Sequence, residues 1–376
     1  MDFQLTEDQR AFADIAQALF ADYCSDEQLR AFDASGQPYM QDLWRQCVAG
    51  GLQAILVPEA DGGLELGMAE LMGVLEQQGR ALALVPLWEH QLALAAALRF
   101  GSAPLRSALK DLPPDALLTV SLGGLAEARG PALQARREGV GYRLDGFAAA
   151  VPLGAQAAWL LAGVALDGAA RLMLINLDHA AIGKVEGSSQ HHLAVADLRF
   201  DGVAVAASAL LDEGALGWVE PRAIACLAAL QLGVSAQQLV RTVEYVSERR
   251  QFNRVIGSFQ LVAGQMADGH IALEALRSSL WQLVYRIDAG LGAAPQGWAT
   301  HHLACSAGHQ IGHMAQHVHG GIGVDITFHI HRFLFWSRVL GLTLGGVEQN
   351  LAKLGDWLAD HTHLGWKYDL PEDHAV

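Results

Sequence analysis

The sequence predicts an α+β protein in which two helical regions flank a β-domain. Apolar residues recur with the period of a helix over residues 6–117 and again after residue 213. Between residues 118 and 212 the apolar runs are short and are bounded by glycine, aspartate or proline, which is typical of strands. We therefore predict an N-terminal helical bundle (1–117), a middle antiparallel β-barrel or sandwich (118–212) and a C-terminal four-helix bundle (213–376).

The N-terminal region opens with a helix start. Thr6 precedes two acidic residues, and the apolar residues that follow fall on one helical face: Phe12, Ile15, Leu19 and Phe20. The segments "LWRQCVAGGLQAIL" and "GMAELMGVLEQQGRALAL" repeat this period around the turn-like "VPEADGG". Residues 6–117 are therefore expected to form helices joined by short loops.

The middle and C-terminal regions differ in the period of their apolar residues. Strands are predicted at five runs: "LLTVSL", "YRLDGFAAAVPL", "AAWLLAGVAL", "RLMLINL" and "DLRFDGVAV". After residue 213 the helical period returns, and it predicts four helices at about 220–250, 258–291, 294–319 and 328–360.

The composition argues against several classes of partner. With 25 Lys and Arg against 40 Asp and Glu, the net charge of −15 disfavours nucleic acid or an anionic membrane as the main partner. Cys24, Cys47, Cys226 and Cys305 are widely spaced, so we expect no disulfide framework and a cytoplasmic setting. The N-terminus lacks the basic region and the continuous apolar run of a signal peptide.

No metal site is predicted from the histidines. The pairs His191–His192 and His301–His302 lack metal-ligand spacing with a third ligand, and we expect them to lie on the surface. A basic cluster in so acidic a chain, such as "SERRQFNRVIGSFQ" at residues 247–260, is expected to bind a small anion.

The order of the three regions, together with three short motifs, resembles the acyl-CoA dehydrogenase family. The stretch beginning "LVPEADGGLELG" is similar to the family's "VPEEYGGLG" turn. Residues 247–260 are similar to its "ERRQFGxPIxxFQ" signature, with Asn253 and Val255 where glycine and proline are common. "HVHGGIGVD" at residues 317–325 is similar to its "QxxGGxG" loop. The resemblance covers essentially the whole chain and implies FAD-dependent desaturation of an acyl-CoA thioester between Cα and Cβ.

The resemblance also implies which residues bind FAD. In this family a dimer shares its flavin, so that one subunit holds the ring and its neighbour holds the ADP half. The matching residues here are Arg249, Gln251, Phe252, His317, Gly320 and Gly321, with His317 in place of the family's glutamine. A guanidinium and bare backbone N–H groups suit a pyrophosphate, and an aromatic ring suits adenine.

Helical spacing would place Arg249 and Phe252 on one side of a helix end. The alternative readings are a solvated helix terminus for the arginines, a histidine bonded to backbone for His317, and plain turn residues for the glycines.

The catalytic base that the family requires is missing at its expected place. The reaction removes an α-proton with a carboxylate. The resemblance places this base at Leu344 or Gly345, and neither residue can accept a proton. Glu348 and Glu244 are the nearby carboxylates, but they are displaced by about one helical turn or face elsewhere, and both also fit a solvated helix face. We therefore assign no catalytic residue.

The β-domain lacks the family's ring-binding motifs as well. "SLGGLAEARGP" at residues 121–131 stands in place of "TExxxGSD" and has no Ser-Asp pair. "AVPLG" at residues 150–154 stands in place of "WITNG", and Pro152 has no backbone N–H to offer a flavin. The residues donated to a neighbour's flavin remain, whereas those for the chain's own flavin ring are absent. This pattern resembles the base-less subunit of heteromeric, α2β2 bacterial acyl-CoA dehydrogenases such as those of steroid side-chain degradation.

Three hypotheses about function stay open. The chain is a non-catalytic subunit that binds the ADP half of a partner's FAD, or an independent FAD-dependent acyl-CoA dehydrogenase with a displaced base, or a non-redox scaffold or acyl-CoA-binding protein of the same fold. The implied partners are an acyl-CoA substrate and a catalytic dehydrogenase subunit or a second copy of this chain. An electron-transfer flavoprotein is a further implied partner.

Overall fold

The computed structural model describes residues 6–113, 115–125 and 130–361. Its N-terminal part is helical, as predicted, and Thr6 caps the first helix. The Thr6 hydroxyl accepts from the backbone N–H of Gln9, whose side chain in turn accepts from the backbone N–H of Thr6. The helices of this part are α1 (Glu7–Tyr23), α2 (Asp26–Ser35), α3 (Gln41–Ala49), α4 (Met68–Ala81), α5 (Leu87–Phe100) and α6 (Ala103–Lys110).

The middle part forms one curled sheet in which all five predicted strands are confirmed. The strands are β1 (Leu118–Ser121), β2 (Gln134–Glu138), β3 (Gly141–Pro152), β4 (Trp159–Leu166), β5 (Ala169–Asn176), β6 (Ile182–Ser188) and β7 (Ala194–Ala206). Their order is β1-β4-β2-β3-β7-β6, and β5 pairs with the other edge of β4. The pairs β1–β4 and β2–β4 are parallel, and the remaining pairs are antiparallel.

Strands β2 and β6 are absent from the sequence prediction. Only Ala135 is buried in β2 and only Ile182 is buried in β6, so neither strand presents an apolar run. Helix α5 shows the opposite pattern, because every residue from Leu87 to Ala93 is buried, and His90 on this helix accepts from the backbone N–H of Leu118 at 3.4 Å. This helix therefore belongs to the core that supports β1.

The C-terminal part consists of long helices and one short hairpin. The elements are α7 (Ala215–Glu248), β8 (Arg250–Gln251), β9 (Arg254–Val255), α8 (Gln260–Asp288), α9 (Ala294–His319), α10 (Ile330–Leu342) and α11 (Gly346–Asp360). By length and composition α7 could cross a membrane, but 89% of its most apolar stretch is buried inside the protein.

The single helix predicted at about 328–360 is wrong. The chain forms α10 and α11 instead, separated by a 3-10 turn at Thr343–Gly345. Leu344 has φ 59°, and Gly345 and Gly346 also have positive φ, at 88° and 71°. A right-handed helix cannot continue through such residues.

The described residues divide into two compact units. As far as the structure describes them, the first comprises residues 6–31, 72–83 and 224–361, and the second comprises residues 32–71 and 84–223. The domain boundaries predicted after residues 117 and 212 stay a prediction.

Within the first unit, α4 and α7 cross at a pair of glycines. A Cβ atom on Gly79 would lie 2.2 Å from the carbonyl oxygen of Leu230, and one on Gly233 would lie 2.0 Å from that of Glu76. The two backbones are therefore in direct contact, which glycine alone permits. This crossing fixes the side chains of α4 against those of α7.

Candidate flavin-sharing site

The two sequence motifs come together at one end of the C-terminal helices. The ring of Tyr245, near the end of α7, stacks on His319, at the end of α9, with ring centres 4.2 Å apart and planes 19° apart. Nε2 of Gln265, near the start of α8, lies 3.4 Å from Nδ1 of His317. The hairpin after α7, the start of α8 and the glycine loop after α9 therefore lie at the same end.

The arginine motif forms a hairpin rather than a continued helix. Helix α7 ends at Glu248, and the backbone then pairs Arg250 with Val255 and Gln251 with Arg254. Phe252 and Asn253 form the two-residue turn, with φ 52° and 64°. Positive φ at both positions is the pattern of a type I′ turn, and asparagine tolerates it well. The expectation that Arg249 and Phe252 share one side of a helix is therefore wrong.

The side chains of this hairpin point to solvent. The Arg249 side chain has no hydrogen-bond or ion-pair partner within the described ranges, and both it and Gln251 are exposed. Phe252 is 86% exposed, and its ring contacts Phe259 edge-on at 6.2 Å. The guanidinium of Arg254 instead lies 3.8 Å over the Phe259 ring. In this hairpin, Arg249 and Phe252 are therefore the basic and the aromatic side chain that remain available to bind a ligand.

The glycine loop presents open backbone. Gly320 has φ 61° and ψ −138°, a combination that favours glycine, and a Cβ at Gly320 or Gly321 would meet no atom within 4 Å. His317 is exposed, next to Gln265. An approaching phosphate could reach the backbone of this loop without a steric barrier.

Two buried polar groups beside the loop were not found by sequence analysis. His319 is 4% exposed, and its Nδ1 donates to the carbonyl of Ala315 at 2.8 Å. Burial lowers the pKa of His319, although its hydrogen bond to Ala315 opposes the shift, and the net direction favours the neutral ring. The Nε2 atoms of His319 and Gln316 have no hydrogen-bond partner in the parts of the chain that the structure describes.

These residues fit the ADP half of FAD. They combine an uncommitted guanidinium, an exposed aromatic ring and open glycine backbone. Helix α8 also starts here without a side-chain cap, so its first N–H groups and the positive end of its dipole face the same region. Each of these features favours a diphosphate or an adenine.

The turn expected to carry the base contains no carboxylate. Leu344 is buried, and its carbonyl accepts from Nδ2 of Asn350 at 2.9 Å. Nε2 of His301 lies 3.1 Å from the carbonyl oxygen of Thr343 and holds the turn against α9. Gly345 follows Leu344, and Glu348 is exposed in the first turn of α11. Glu244 is also exposed, on α7.

Residues 150–154, at the end of β3, stand where the family's strand lies beside the flavin ring. Their backbone polar groups form hydrogen bonds to other parts of this protein. The N–H of Ala150 donates to Asp197 Oδ1 at 2.7 Å, and that of Leu153 donates to the carbonyl of Ala194 at 2.9 Å. The Pro152 carbonyl accepts from the Thr119 hydroxyl at 2.5 Å. This strand does not fit the ring half of FAD. In the neighbouring "SLGGLAEARGP" segment, residues 126–129 lie outside the described residues.

Comparison with known proteins identifies the family. Residues 6–110 match the model of the acyl-CoA dehydrogenase N-terminal domain, and residues 223–358 match that of the C-terminal domain. The chain belongs to the acyl-CoA dehydrogenase family. Acyl-CoA dehydrogenase FadE27 of Mycobacterium tuberculosis is 32% identical over 96% of this chain and 99% of the relative. FadE28 of the same organism is 32% identical over 94% of this chain and 98% of the relative.

Solved structures of the family give the same result. The ChsE4–ChsE5 complex from Mycobacterium tuberculosis contains a chain that is 32% identical, with a TM-score of 0.89, over 96% of this chain and 99% of that one. A variant of the Tcur3481–Tcur3483 steroid acyl-CoA dehydrogenase contains one that is 34% identical, with a TM-score of 0.88, over 95% of this chain and 99% of that one.

Membership of the acyl-CoA dehydrogenase family confirms the predicted fold class, enzyme class and cofactor. The protein is an FAD-dependent oxidoreductase that acts on CH–CH bonds. When bound, FAD supplies the hydride acceptor of this chemistry. The assignment of individual residues to FAD stays a prediction.

The surface location predicted for the histidine pairs is wrong for His191 and His301. Both are buried, and Nδ1 of His191 lies 2.7 Å from the Ser189 hydroxyl. Burial, with a smaller contribution from the neighbouring His192, lowers the pKa of His191 to about 3. Nδ1 of His301 lies 3.5 Å from Cys305 Sγ. Among the described residues, no group of three or more His, Cys, Asp or Glu side chains could hold a metal ion.

Proposed function

We propose that this chain is the non-catalytic subunit of a heteromeric acyl-CoA dehydrogenase and binds the ADP half of an FAD whose ring lies in a partner chain. The observation that carries the proposal is the contrast between two parts of the chain. The uncommitted Arg249, the exposed Phe252 and the open Gly320–Gly321 backbone lie at one end of the helices. The turn at the expected base position is occupied by the buried Leu344.

The proposed roles follow from the chemistry of each group. Arg249 pairs with the diphosphate through its planar fork of N–H donors, and the N–H groups of Gly320 and Gly321 donate to the same anion. Phe252 packs on the adenine, which buries an otherwise exposed ring. Gln251 and His317 offer further polar contacts. The partner chain supplies the carboxylate that removes the α-proton.

The similar proteins suggest the substrate and the partner. One relative with a solved structure is described as a steroid acyl-CoA dehydrogenase, and another is a complex of two chains, ChsE4 and ChsE5. We therefore propose an acyl-CoA with a bulky, steroid-derived acyl group as substrate and a second acyl-CoA dehydrogenase chain as partner. We also propose a cytoplasmic location and an electron-transfer flavoprotein as electron acceptor.

Co-expression with the dehydrogenase chain encoded next to it tests the proposal. The chain purified alone is expected to be colourless and inactive, whereas the mixture is expected to contain about one FAD per two chains, as two subunits share each site. Absorbance at the flavin bands, related to chain concentration, measures this ratio. A yellow, active preparation of the chain alone would refute the proposal.

Two substitutions test the proposed FAD-binding roles of Arg249 and Phe252. Arg249→Ala and Phe252→Ala in this chain are each expected to weaken FAD binding by the heteromer at least tenfold, because they remove a charge-assisted contact or a stacking face. Arg250→Ala is the matched control, since Arg250 is a neighbouring exposed arginine whose side chain, within the described ranges, makes a single long hydrogen bond, 3.5 Å to the Asn253 carbonyl. Equal FAD affinities in all three variants would exclude the assigned roles.

The alternatives make different predictions. If the chain is an independent dehydrogenase with a displaced base, Glu348→Gln or Glu244→Gln should abolish its activity. If it is a non-redox scaffold or an acyl-CoA-binding protein, every complex that it forms should lack flavin.

A further inference from the structure

Helix α9 carries two histidines that lie one turn apart on its surface. His309 and His313 are both exposed, and their ring centres are 4.4 Å apart, with an angle of 51° between the planes. Neither ring has a hydrogen-bond or ion-pair partner in the part of the chain that the structure describes. His301 on the same helix differs, because its Nε2 lies 3.1 Å from the Thr343 carbonyl oxygen. His309 and His313 therefore have ring nitrogens available to bind a ligand.

The backbone that carries these two histidines is held in place by close packing. Gly308 and Gly312 directly precede them in the sequence. A Cβ atom on Gly308 would lie 2.6 Å from Cδ and Oε1 of Gln231 on α7, and one on Gly312 would lie 2.9 Å from Cδ1 of Leu334 on α10. Since the backbone is already ordered, only side-chain torsions remain to be fixed when a ligand binds.

Two histidines at positions i and i+4 of a helix can chelate one metal ion. The same spacing places the two histidine ligands of zinc metalloproteases on one helical face. Ring nitrogens that each bind an ion at about 2.0–2.1 Å lie about 3 Å from one another. Rings whose centres are 4.4 Å apart can reach this separation by side-chain rotation. Because both rings are exposed, water can complete the coordination of the ion.

We propose that His309 and His313 together bind one divalent transition-metal ion. Imidazole suits Zn²⁺, Cu²⁺ and Ni²⁺, whereas Mg²⁺ and Ca²⁺ prefer oxygen ligands. The site uses none of the residues assigned to FAD, although it lies on the same helix as His317. The ion would join two successive turns of α9, and it would stabilise the folded chain because the unfolded chain does not hold the two rings together.

Arg338 on α10 is close enough to act on this pair electrostatically. Partial burial, His309 and Arg338 together lower the pKa of His313, which favours the neutral ring that binds metal. The positive charge of Arg338 also repels a cation. Arg338→Gln is therefore expected to strengthen metal binding at least twofold, and weaker binding in this variant would count against an ion at His313.

Titration of the untagged full-length chain with Ni²⁺ at pH 7.5 tests the proposal. Isothermal titration calorimetry is expected to show one Ni²⁺ bound per chain and no binding of Mg²⁺ at the same concentrations. All four cysteines are buried, so no exposed thiol competes for the ion. Ni²⁺ should also raise the melting temperature of the chain.

Variants locate the ion. His309→Ala and His313→Ala are each expected to weaken Ni²⁺ binding at least tenfold, because each leaves a single imidazole in place of a chelating pair. Both changes introduce a good helix former at an exposed position, so the variants should fold. His179→Ala is the matched control, since it removes an exposed histidine of the second unit, and it should leave the affinity within twofold.

The outcome is independent of the proposed FAD role, because the titration needs neither flavin nor partner. The proposal would be overturned if His309→Ala or His313→Ala bound Ni²⁺ as tightly as the native chain. Loss of affinity of the same size in His179→Ala would overturn it as well, since binding would then not depend on the pair. Equal affinities for Mg²⁺ and Ni²⁺, or no binding at millimolar Ni²⁺, would have the same consequence.

Discussion

The ring of Tyr245 lies face to face with the imidazole of His319, at 4.2 Å and with an interplanar angle of 19°. The backbone carbonyl of Tyr245 accepts from the backbone N–H of Arg249, one helical turn later. His319 directly precedes Gly320. Both rings also contact Phe328, at 6.4 Å and 5.6 Å. This stack is therefore the direct link between the arginine hairpin and the glycine loop.

Removing the ring of Tyr245 should loosen both motifs at once. Tyr245→Ala is expected to lower the free energy of unfolding by about 1–2 kcal/mol, because a half-buried aromatic pair is lost. In the heteromer it should weaken FAD binding at least threefold. Urea unfolding and flavin fluorescence titration measure the two effects.

Tyr245→Phe is the matched control for the stack. It keeps the ring, and the Tyr245 hydroxyl has no hydrogen-bond partner in the described part of the chain. We expect it to change the unfolding free energy by less than about 0.5 kcal/mol. Unaltered FAD affinity in Tyr245→Ala would mean that the two motifs bind without the stack.

The glycine crossing of α4 and α7 should tolerate no side chain. In Gly233→Ala the new Cβ would lie 2.0 Å from the Glu76 carbonyl oxygen, so the helices must move apart. A loss of about 3 kcal/mol or more in unfolding free energy is expected. Gly264→Ala is the control, since this exposed α8 position has no atom within 4 Å of the added Cβ. It should gain about 0.5–1 kcal/mol through helix propensity, and a similar loss in both variants would contradict the close crossing.

The sequence predicts the order of the elements well because helical and strand periods are local properties. It misses β2 and β6 because these strands bury one residue each, so no apolar pattern marks them. It also misses the break between α10 and α11, where Leu344 carries the first positive φ. The adjacent Gly345–Gly346 pair is a turn signal in the sequence that could have predicted this break.

The candidate site was predicted by motif and not by geometry. The motifs place Arg249 and Phe252 correctly near the end of α7, but the hairpin depends on positive φ at Phe252, which the sequence does not indicate. The motif drew attention to His317, whereas the buried His319 makes the stack with Tyr245. The Arg241–Asp26 pair joins residues 215 positions apart, and no local pattern reports such a contact.

Protonation of Asp26 should destabilise the first unit at low pH. Although partial burial raises its pKa, hydrogen bonds from His329 and Arg241 and their charges lower it to about 2, from an ordinary 3.8. The stabilisation is therefore fully present above pH 3.8 and is lost as the pH falls through 2. Asp26→Asn should cost about 1–2 kcal/mol at pH 6, since the pair is partly exposed, and progressively less below pH 4.

Urea unfolding at pH 6 and at pH 3 measures this difference between the native chain and Asp26→Asn. Asp42→Asn is the control, because its ion pair with Arg45 is largely exposed and should contribute little. An effect of Asp26→Asn that is the same at both pH values would show that the charge of Asp26 is not the cause.

Glu89 should oppose folding as the pH rises. This residue of α5 is buried, and one of its carboxylate oxygens, Oε2, has no hydrogen-bond partner within the described ranges. Burial raises its pKa from 4.5 to about 8, against smaller opposing effects of its own backbone N–H and the Trp88 side chain. Between these two values the unfolded chain has lost a proton that the folded chain keeps. The free energy of unfolding therefore falls as the pH rises through this window.

Glu89→Gln removes this titration while keeping the shape of the side chain. The variant is expected to be about 2–4 kcal/mol more stable than the native chain at pH 8, and its advantage should shrink to nearly zero at pH 5. Urea unfolding at both pH values is the measurement. Glu248→Gln makes the same change at the exposed end of α7 and is the control for the substitution itself. If Glu89→Gln gains nothing at pH 8, Glu89 is ionised in the folded chain and must have a positively charged or hydrogen-bonding partner.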